Sequence, residues 1–512
     1  MTQDSSAAGT PSKTGVTRTK DVETVLHQND EDVQSGRGLA KRLTAWDLMG
    51  FGIGIVIGTG IFTLTGTEAK NHAGPAIVVS FAVAGVVSML AALCYAELAA
   101  AVPTAGSSYT YAYATIGEIF AWIIAWDLIL EFALGAAVVA RGWSGYLQQL
   151  FGLPQAFFGE ENSVVNLGAV AIALVLGVVA AVGIRESKLV TNALVVVKVS
   201  VCVFVIGAGL FFVKAANLAP FVPPSKPGEE AGGLAQPLWQ LVTGIDPASY
   251  GVAGIFVAAA VVFFAYSGFE AVANLGEETK DPATDMPRGL IGTLVVCTLL
   301  YLGVCFVITG MVPYGRLSEG APISDAFDQV GLGWAAVLIN IAAIAGLSSV
   351  ILVDIVAMGR IGFALCRDGL LPASVGRVHE RFQTPLRITL ATTAAVCLLA
   401  AFVPLATLAE MVSIGTLFAF LVVAIAVVVL RRTKPAMERP FRTPSVPWLP
   451  VASALSCLAL MASLAVETWL RFLVWLALGL AIYLGYGRTH SRLAPGVSDS
   501  DVDAGLGGDE VR

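Results

Sequence analysis

Charged residues, histidines and paired cysteines are scarce in this sequence, and each shortage excludes a class of protein. Only 13% of the 512 residues are charged and 56% are hydrophobic, against about 25% charged residues in an ordinary soluble domain. The 7 cysteines contain no CxxC pair, so we expect neither a disulfide framework nor a metal site. With only 4 histidines, none of them inside an apolar run, the sequence also lacks the groups expected of a membrane enzyme or a cofactor site.

Apolar runs long enough to cross a bilayer recur along the chain and predict an all-α integral membrane protein. A transmembrane helix needs about 20 mostly apolar residues. The polar segments 1–40 and 488–512 are predicted to be disordered tails, and the first of them lacks the apolar core of a cleavable signal peptide. We count twelve apolar runs, at about 44–70, 75–101, 118–148, 164–184, 188–213, 251–276, 289–312, 334–358, 386–403, 408–431, 447–466 and 470–487.

Lysine and arginine are concentrated in every second loop. If the N terminus is cytoplasmic, the loops on the far side hold only Lys70, Lys214, Lys226, Arg316 and Arg471. Cytoplasmic loops carry the excess of positive charge in membrane proteins. We therefore predict a multi-pass protein of the cell membrane with both tails in the cytoplasm.

The first apolar run contains the stretch FGIGIVIGTGIF, with glycines at positions 52, 54, 58 and 60. Glycine weakens a helix interior, so these residues need an explanation. The pattern Gly54-x-x-x-Gly58 is typical of a close contact between two helices. Alternatively, the helix is broken here and its backbone groups are left free for a ligand.

The sixth run has an interruption at a corresponding place. It reads GIFVAAAVVFFAYSGFEAVANLGEE, with Ser267 and Gly268 near its middle. Both interruptions come about fifteen residues into their runs, and five runs separate the two starts, so the two halves enter the membrane from opposite faces. This pattern is typical of transporters with inverted repeats and a binding site near the midplane. We predict a transporter core over 41–431, with repeats 41–213 and 250–431, followed by two further spans over 432–487.

The two interruptions favour opposite charges in a ligand. Unwinding around Gly58 to Gly60 exposes N–H groups at the start of a half-helix, where the helix dipole favours an anion. Unwinding from Phe264 to Gly268 frees carbonyl groups, which favour a cation. A small zwitterion satisfies both preferences, and an α-amino acid fits that description.

Four motifs resemble the signatures of the amino acid–polyamine–organocation superfamily, and most of all those of its cationic amino acid transporters. The motifs are GIGIVIGTGIF, VPTAGSSYTYAYATIGE, FFAYSGFEAVANLGEETKDPATDMPRG and MGRIGFALCRDGLLP, and the resemblance covers about residues 40 to 490. It implies the leucine-transporter fold, with five plus five inverted helices, broken helices 1 and 6, and two helices outside the repeat. It also implies that the main chain binds the substrate, through Ile57, Gly58, Thr59, Gly60 and Ile61 and through carbonyl groups of Phe264, Ala265 and Ser267.

One apolar run contains a lysine far from either of its ends. Lys198 is about ten residues into the fifth run, which corresponds to about 15 Å along a helix and makes snorkelling to the surface difficult. An intramembrane lysine is costly, is functional by default and can exchange a proton. The resemblance implies that Lys198 stands where sodium-coupled relatives bind their ion. We predict that Lys198 is the proton-coupling site and holds the first helix by hydrogen bonds to its carbonyl groups, with snorkelling as the alternative.

Acidic residues also lie within apolar runs, and four of them are candidates for a role at the site. Asp127 and Glu131 are four residues apart and share one helical face, while Glu270 follows the second interruption. We predict that Glu131 and Glu270 are carboxylates of the substrate cavity, and for Glu131 a structural role as partner of a buried amide or hydroxyl remains open. Asp354 is most simply a buried partner of the basic residues that follow it.

The predicted function is secondary active transport. We expect proton-coupled uptake of cationic and/or small neutral L-amino acids by alternating access, without a cofactor other than the proton. An amino acid or polyamine exchanger on the same fold and a non-transporting amino acid sensor are the alternatives. The expected partners are a small amino acid and the lipid bilayer, not nucleic acid, and we expect a monomer, with a dimer left open.

Overall fold

The structure, a computed structural model, describes most of the chain outside its two ends. The predicted tail 1–40, most of the loop 102–115 and residues 495–512 lie outside the described residues. One small antiparallel sheet pairs Lys226–Pro227 (β1) with Ala248–Ser249 (β2). The described residues are 41–101, 109, 111–113, 116–160, 163–183, 188–227, 233–245, 248–382 and 384–494.

The described chain is otherwise helical, and its α-helices are numbered here in chain order. They are α1 Ala45–Val56, α2 Thr65–Glu68, α3 Ile77–Ala101, α4 Glu118–Phe151, α5 Gln155–Phe158, α6 Leu167–Val182, α7 Lys188–Gly209, α8 Leu238–Thr243, α9 Gly251–Val262, α10 Pro282–Met311, α11 Pro322–Gln329, α12 Gly333–Arg367, α13 Ala373–Gly376, α14 Leu386–Phe402, α15 Leu405–Thr433, α16 Trp448–Ala462, α17 Val466–Ile482 and α18 Arg488–His490.

Short 3-10 and π-helical segments continue or join the α-helices. The 3-10 segments are Gly74–Ala76, Leu210–Phe212, Ala215–Leu218, Gly233–Ala235, Phe263–Tyr266, Phe269–Glu278 and Tyr314–Arg316, and the π-helical segments are Gly60–Leu64, Ala69–Ala73 and Tyr483–Gly487.

Several of these helices have the length and composition of membrane spans. Four shorter apolar helices, α1, α6, α14 and α16, accompany the long ones. The prediction of a helical protein with several apolar spans is therefore confirmed, whereas twelve spans and an inverted repeat stay predictions. Within the described residues, eight helical stretches are long and apolar enough to cross a membrane: Gly60–Ala101, Glu118–Phe151, Asn192–Phe212, Gly251–Glu278, Pro282–Met311, Gly333–Arg367, Leu405–Thr433 and Val466–His490.

Helices α4 and α12 form the centre of the bundle. They contain 34 and 35 residues and pack along each other. Helix α4 also contacts α6, α14 and α15, while α10 packs against α1 and α3. Because α4 is covered on several sides by other helices, polar side chains on it face protein and not lipid, as the buried Glu131 does.

Local sequence signals set several helix ends. The Thr44 hydroxyl donates a hydrogen bond of 2.8 Å to Asp47 at the start of α1, and the Asn166 side chain accepts one of 3.0 Å from the Ala169 N–H at the start of α6. Helix α6 ends at Val182 and is followed by Gly183, whose φ of 74° belongs to the left-handed region that glycine adopts most easily.

The chain after Arg488 remains ordered for longer than predicted. Residues 488–494 of the expected tail are described, and Ser491 is fully buried. The Ser491 hydroxyl donates a hydrogen bond of 2.7 Å to Glu118 at the start of α4. The predicted disordered segment 488–512 therefore begins too early, because its first residues satisfy a buried carboxyl group.

Candidate functional site

The first interruption lies between α1 and the π-helical segment that begins at Gly60. Helix α1 ends at Val56, and Ile57 adopts an extended conformation with φ of −74° and ψ of 93°. The chain becomes helical again after Thr59. The first N–H groups of a helical segment have no partner within it, so the predicted anion-binding backbone groups lie at such a start.

The second interruption follows α9. Helix α9 ends at Val262, a 3-10 turn follows, and Ser267 is extended with ψ of 145°. Gly268 then has φ of 100°, a conformation that side chains with a Cβ rarely adopt, so glycine is required here. A second 3-10 segment begins at Phe269.

The two interruptions touch each other at Gly60. A Cβ atom on Gly60 would overlap the main chain of Ala265, so only glycine permits this approach. The earlier glycines have a different purpose, because a Cβ on Gly52 or Gly54 would collide with side chains of α10 and α7 respectively. Close packing therefore explains Gly52, Gly54 and Gly60, and binding of a ligand by the broken segment stays a prediction.

Side chains from neighbouring helices satisfy some backbone groups at the breaks. The Tyr301 hydroxyl, on α10, lies 2.7 Å from the Val56 carbonyl oxygen and 3.0 Å from that of Ala265. The Phe264 carbonyl oxygen accepts a hydrogen bond of 3.1 Å from the Ser267 N–H. The predicted ligand carbonyls of Phe264 and Ala265 therefore each accept a hydrogen bond from the protein, and each oxygen has a second lone pair.

A buried cavity lies between the interruptions and helices α4, α12 and α15. Its wall includes predicted site residues from both interruptions and from α4, which the fold brings together: Gly58, Thr59, Gly60, Phe264, Ser267 and Glu131. The remaining predicted residues are buried beside the cavity without being among the wall residues described: Ile57, Ile61, Ala265 and Glu270.

The Glu131 carboxyl group joins α4 to the second interruption. Its Oε1 atom accepts a hydrogen bond of 2.6 Å from the Ser267 hydroxyl. Glu131 is only 4% exposed. Its Oε2 atom is buried and has no hydrogen-bond partner among the described residues. Glu131 is therefore a structural partner of a hydroxyl, and its carboxyl group also interacts with that of Glu270.

Glu270 has a local partner. The Gly268 N–H donates to its two carboxyl oxygens, at 2.9 and 3.1 Å. Glu270 thus binds the N–H group of the residue before the second 3-10 segment, and it is 2% exposed. Asp127, one turn before Glu131, is also buried, and its carboxyl lies against Gly415 of α15.

Lys198 points into the bundle and contacts the first helix. Its Nζ donates a hydrogen bond of 2.6 Å to the carbonyl oxygen of Gly54, one turn before the first interruption. The side chain is 1% exposed and packs over Gly346 of α12, where a Cβ would lie 2.9 Å from its Cε atom. Lys198 does not snorkel to the surface in this structure.

Asp354 is a cavity residue that sequence reasoning missed. It lies on α12 and lines the cavity, next to Gly135 of α4. Within the described chain no basic side chain forms an ion pair with it, so the predicted pairing with the following basic residues is wrong. Because Val350 lies one turn before it on the same helical face and also lines the cavity, periodicity could have identified it.

Interrupted helices that meet at a buried cavity within an apolar helical bundle are typical of membrane transport proteins, and the family and relatives that match this chain are transporters, not enzymes. Residues 43–483 match the sequence model described as amino acid permease. The chain belongs to this family, within the amino acid–polyamine–organocation superfamily, and the predicted resemblance is confirmed.

Named relatives cover nearly the whole chain. A methylthioribose transporter of Bacillus subtilis (strain 168) is 41% identical over 485 residues, which is 93% of this chain and 98% of the relative. The branched-chain amino acid permease BcaP of the same organism is 41% identical over 469 residues, 89% of this chain and 95% of the relative. Cationic amino acid transporter 1 of Arabidopsis thaliana is 33% identical over 526 residues, 90% of this chain and 84% of the relative.

Proposed function

We propose that the protein is a secondary active transporter that takes up an L-amino acid together with a proton by alternating access. The observation that carries this proposal is the hydrogen bond from Lys198 Nζ to the Gly54 carbonyl, because it links a protonatable group to the helix that breaks at the cavity. The amino acid permease family supports the substrate class.

The architecture proposed for this function has twelve spans in the leucine-transporter arrangement, with inverted repeats 41–213 and 250–431 and both termini cytoplasmic. It is supported by the two interrupted elements, because α1 and α9 each contain 12 residues before they break. It is also supported by the short apolar helices, since α6, α14 and α16 lie at three of the proposed spans and α1 is the first half of the proposed broken span 1. Rigid movement of one set of helices against the other would then expose the cavity to each side in turn.

Substrate binding is proposed to occur at the meeting point of the interruptions. The α-carboxylate would accept hydrogen bonds from N–H groups of Gly58 to Ile61, where the helix dipole is positive. The α-ammonium would donate to the remaining acceptor sites of the Phe264 and Ala265 carbonyls. Ser267 would contribute through its carbonyl group, while its hydroxyl holds Glu131 in place.

Lys198 is proposed to couple the proton to the first helix. In its protonated form it donates a charge-assisted hydrogen bond to Gly54, an interaction that typically contributes about 1.5–3 kcal/mol. Release of the proton removes the charge and weakens this bond, so α1 becomes easier to displace. No other coupling ion or cofactor is required by this mechanism.

The names of the relatives leave the substrate open, since they include branched-chain and cationic amino acids and methylthioribose. We propose cationic and/or small neutral L-amino acids. The same fold could instead exchange amino acids or polyamines, or bind an amino acid as a sensor, and uptake measurements distinguish these functions.

Lys198→Ala tests the coupling role. In proteoliposomes with an inward proton gradient, wild type is expected to accumulate labelled alanine or arginine, and the variant is expected to lose gradient-driven accumulation while it still binds substrate. Lys214→Ala is the matched control because Lys214 is exposed. Accumulation by Lys198→Ala at the wild-type rate and with the wild-type dependence on the gradient would contradict the coupling role.

A further inference from the structure

We infer that Asp127 is a proton-transfer residue of the transport cycle, which passes a proton from the cavity carboxyl group of Glu131 to water on the proposed cytoplasmic side. This inference rests on the proposed function, because it names a further group on the path of the coupled proton. Lys198 belongs to α7 and contacts α1, whereas Asp127 belongs to α4, so the inference assigns a proton-binding group to a different helix.

Asp127 lies in the interior of the bundle without a hydrogen-bond partner in the described chain. The residue is 0% exposed, and both of its carboxyl oxygens are buried and unpaired there. An ionised carboxylate is very costly in such a position, whereas a neutral carboxyl group is tolerated far better. Asp127 therefore carries a proton in this conformation.

The helix that faces Asp127 does not supply a neutralising charge. On α15 the facing residue is Gly415, where a Cβ atom would lie 2.8 Å from the Asp127 Oδ1 atom. The charged residues of α15 are engaged or exposed elsewhere: Glu410 accepts a hydrogen bond of 2.5 Å from the Thr468 hydroxyl, Arg431 donates to Glu97 at 2.7 Å, and Arg432 is exposed.

Other helices around α4 do not supply a partner either. Helices α6, α12, α14 and α17 also pack against α4, and α6 contains no charged residue. Within the described chain, the charged residues of the other three form no hydrogen bond with Asp127: Asp354, Arg360 and Arg367 on α12, Arg387 on α14, and Glu467 and Arg471 on α17.

Asp127 is adjacent to the hydrogen-bonded groups of the cavity. Asp127 and Glu131 are four residues apart on α4, which places their Cβ atoms about 5–6 Å apart on one helical face. Thr416, which follows Gly415 on α15, donates a hydrogen bond of 3.3 Å to the Ser267 hydroxyl, and Ser267 donates one of 2.6 Å to Glu131. A proton on Glu131 is therefore one helical turn from Asp127.

The same face of α4 is apolar beyond Asp127. Phe120, Ile123 and Ile124 occupy the next two turns towards the start of the helix, and none of these side chains can accept a proton. Asp127 therefore releases its proton to water when the helices part, and becomes a hydrated carboxylate. As the helices close again, the Glu131 O–H gives its proton to this carboxylate, which leaves Asp127 neutral and Glu131 ionised. Chains of carboxyl groups are typical of proton relays in transporters.

Side chains that cannot release a proton test this transfer. Asp127→Asn and Asp127→Leu keep the branched shape of the side chain, and neither removes a hydrogen bond of the described chain. In proteoliposomes with an inward proton gradient, both variants should lose accumulation of labelled alanine or arginine above its external concentration. Exchange of internal for external substrate needs no net release of a proton, so it should continue near the wild-type rate.

Asp328→Asn is the matched control, since Asp328 is exposed, and it should keep both accumulation and exchange. A carboxyl group that only fills space predicts wild-type accumulation by both Asp127 variants, and that result would overturn the inference. Loss of exchange together with accumulation in folded variants would also overturn it, because it indicates a structural role. Absence of gradient-driven accumulation by the wild type would overturn the proposed function as well.

Infrared spectroscopy of the wild type gives a test that does not depend on the folding of a variant. With a heavy carbon isotope in the aspartate carboxyl groups, the protein at neutral pH should show the carbonyl stretch of a protonated aspartic acid before substrate is added. Asp127→Leu should weaken this band, while Asp328→Asn should leave it unchanged. A wild-type spectrum without any protonated aspartic acid would overturn the inference and leave the proposed function standing.

Discussion

Gly60 is the residue at which the two interrupted helices come closest. Because a Cβ there would overlap the Ala265 main chain, we expect Gly60→Ala to separate the interruptions and to abolish substrate binding and uptake. Gly207→Ala is the matched control, since nothing lies within 4 Å of the added atom on α7. That variant should keep full uptake and be slightly more stable, by about 0.5–1 kcal/mol. Wild-type uptake by Gly60→Ala would show that the close approach is not required.

For single residues, the sequence indicates which charged groups are unusual but not which groups they or their neighbours contact. Lys198 and Glu131 stand out in apolar runs, where a charge is unusual. Tyr301 does not, because a tyrosine in such a run is ordinary, and its role depends on carbonyl groups 36 and 245 residues away. The prediction for Asp354 fails because basic residues follow it in sequence, whereas its side chain lines the cavity beside α4.

At the scale of elements, the ordered segment after α17 connects the ends of the two helices that carry the cavity carboxyl groups. The Tyr483 and Ser491 hydroxyls donate to Glu118 at the start of α4, at 2.8 and 2.7 Å. The Arg492 Nε donates a hydrogen bond of 2.6 Å to the Arg367 carbonyl at the end of α12. This segment, residues 483–494, therefore links the start of α4 to the end of α12 by hydrogen bonds.

Two tyrosines that precede α4 form hydrogen bonds in the same region. Tyr109 donates a hydrogen bond to Asp368, and the Tyr113 hydroxyl lies 3.2 Å from Glu118. Burial, reinforced by the neighbouring acidic groups Asp368 and Glu118, raises the pKa of both tyrosines well above the usual value. Both hydroxyls therefore remain protonated and act as donors across the physiological pH range.

Two truncations test whether this segment stabilises the protein. Removal of residues 488–512 deletes Ser491 and Arg492, and with each buried hydrogen bond contributing about 0.5–1.5 kcal/mol we expect a melting temperature several degrees lower. Removal of 495–512 alone leaves the described contacts intact and should have little effect. Thermal unfolding of the purified protein in detergent measures both. Equal melting temperatures for the two truncations would contradict a stabilising role for the segment.

At the scale of the whole molecule, the sequence predicted the class and family, and it located the two helix interruptions to within a few residues. Apolar runs and glycine-rich breaks are local signals, so they can be recognised without knowledge of the fold. The cavity wall and the contact of residues 483–494 with α4 are not local, because they join residues more than a hundred positions apart. Only the packing of the helices brings those groups together.

The most direct test of the central claim is simultaneous measurement of amino acid and proton movement in proteoliposomes that contain no internal amino acid. Proton symport predicts that alanine or arginine added outside accumulates above its external concentration under an inward proton gradient, and that the lumen acidifies as substrate enters. Uptake that ignores the proton gradient and requires amino acid inside would identify an exchanger and contradict proton-coupled transport.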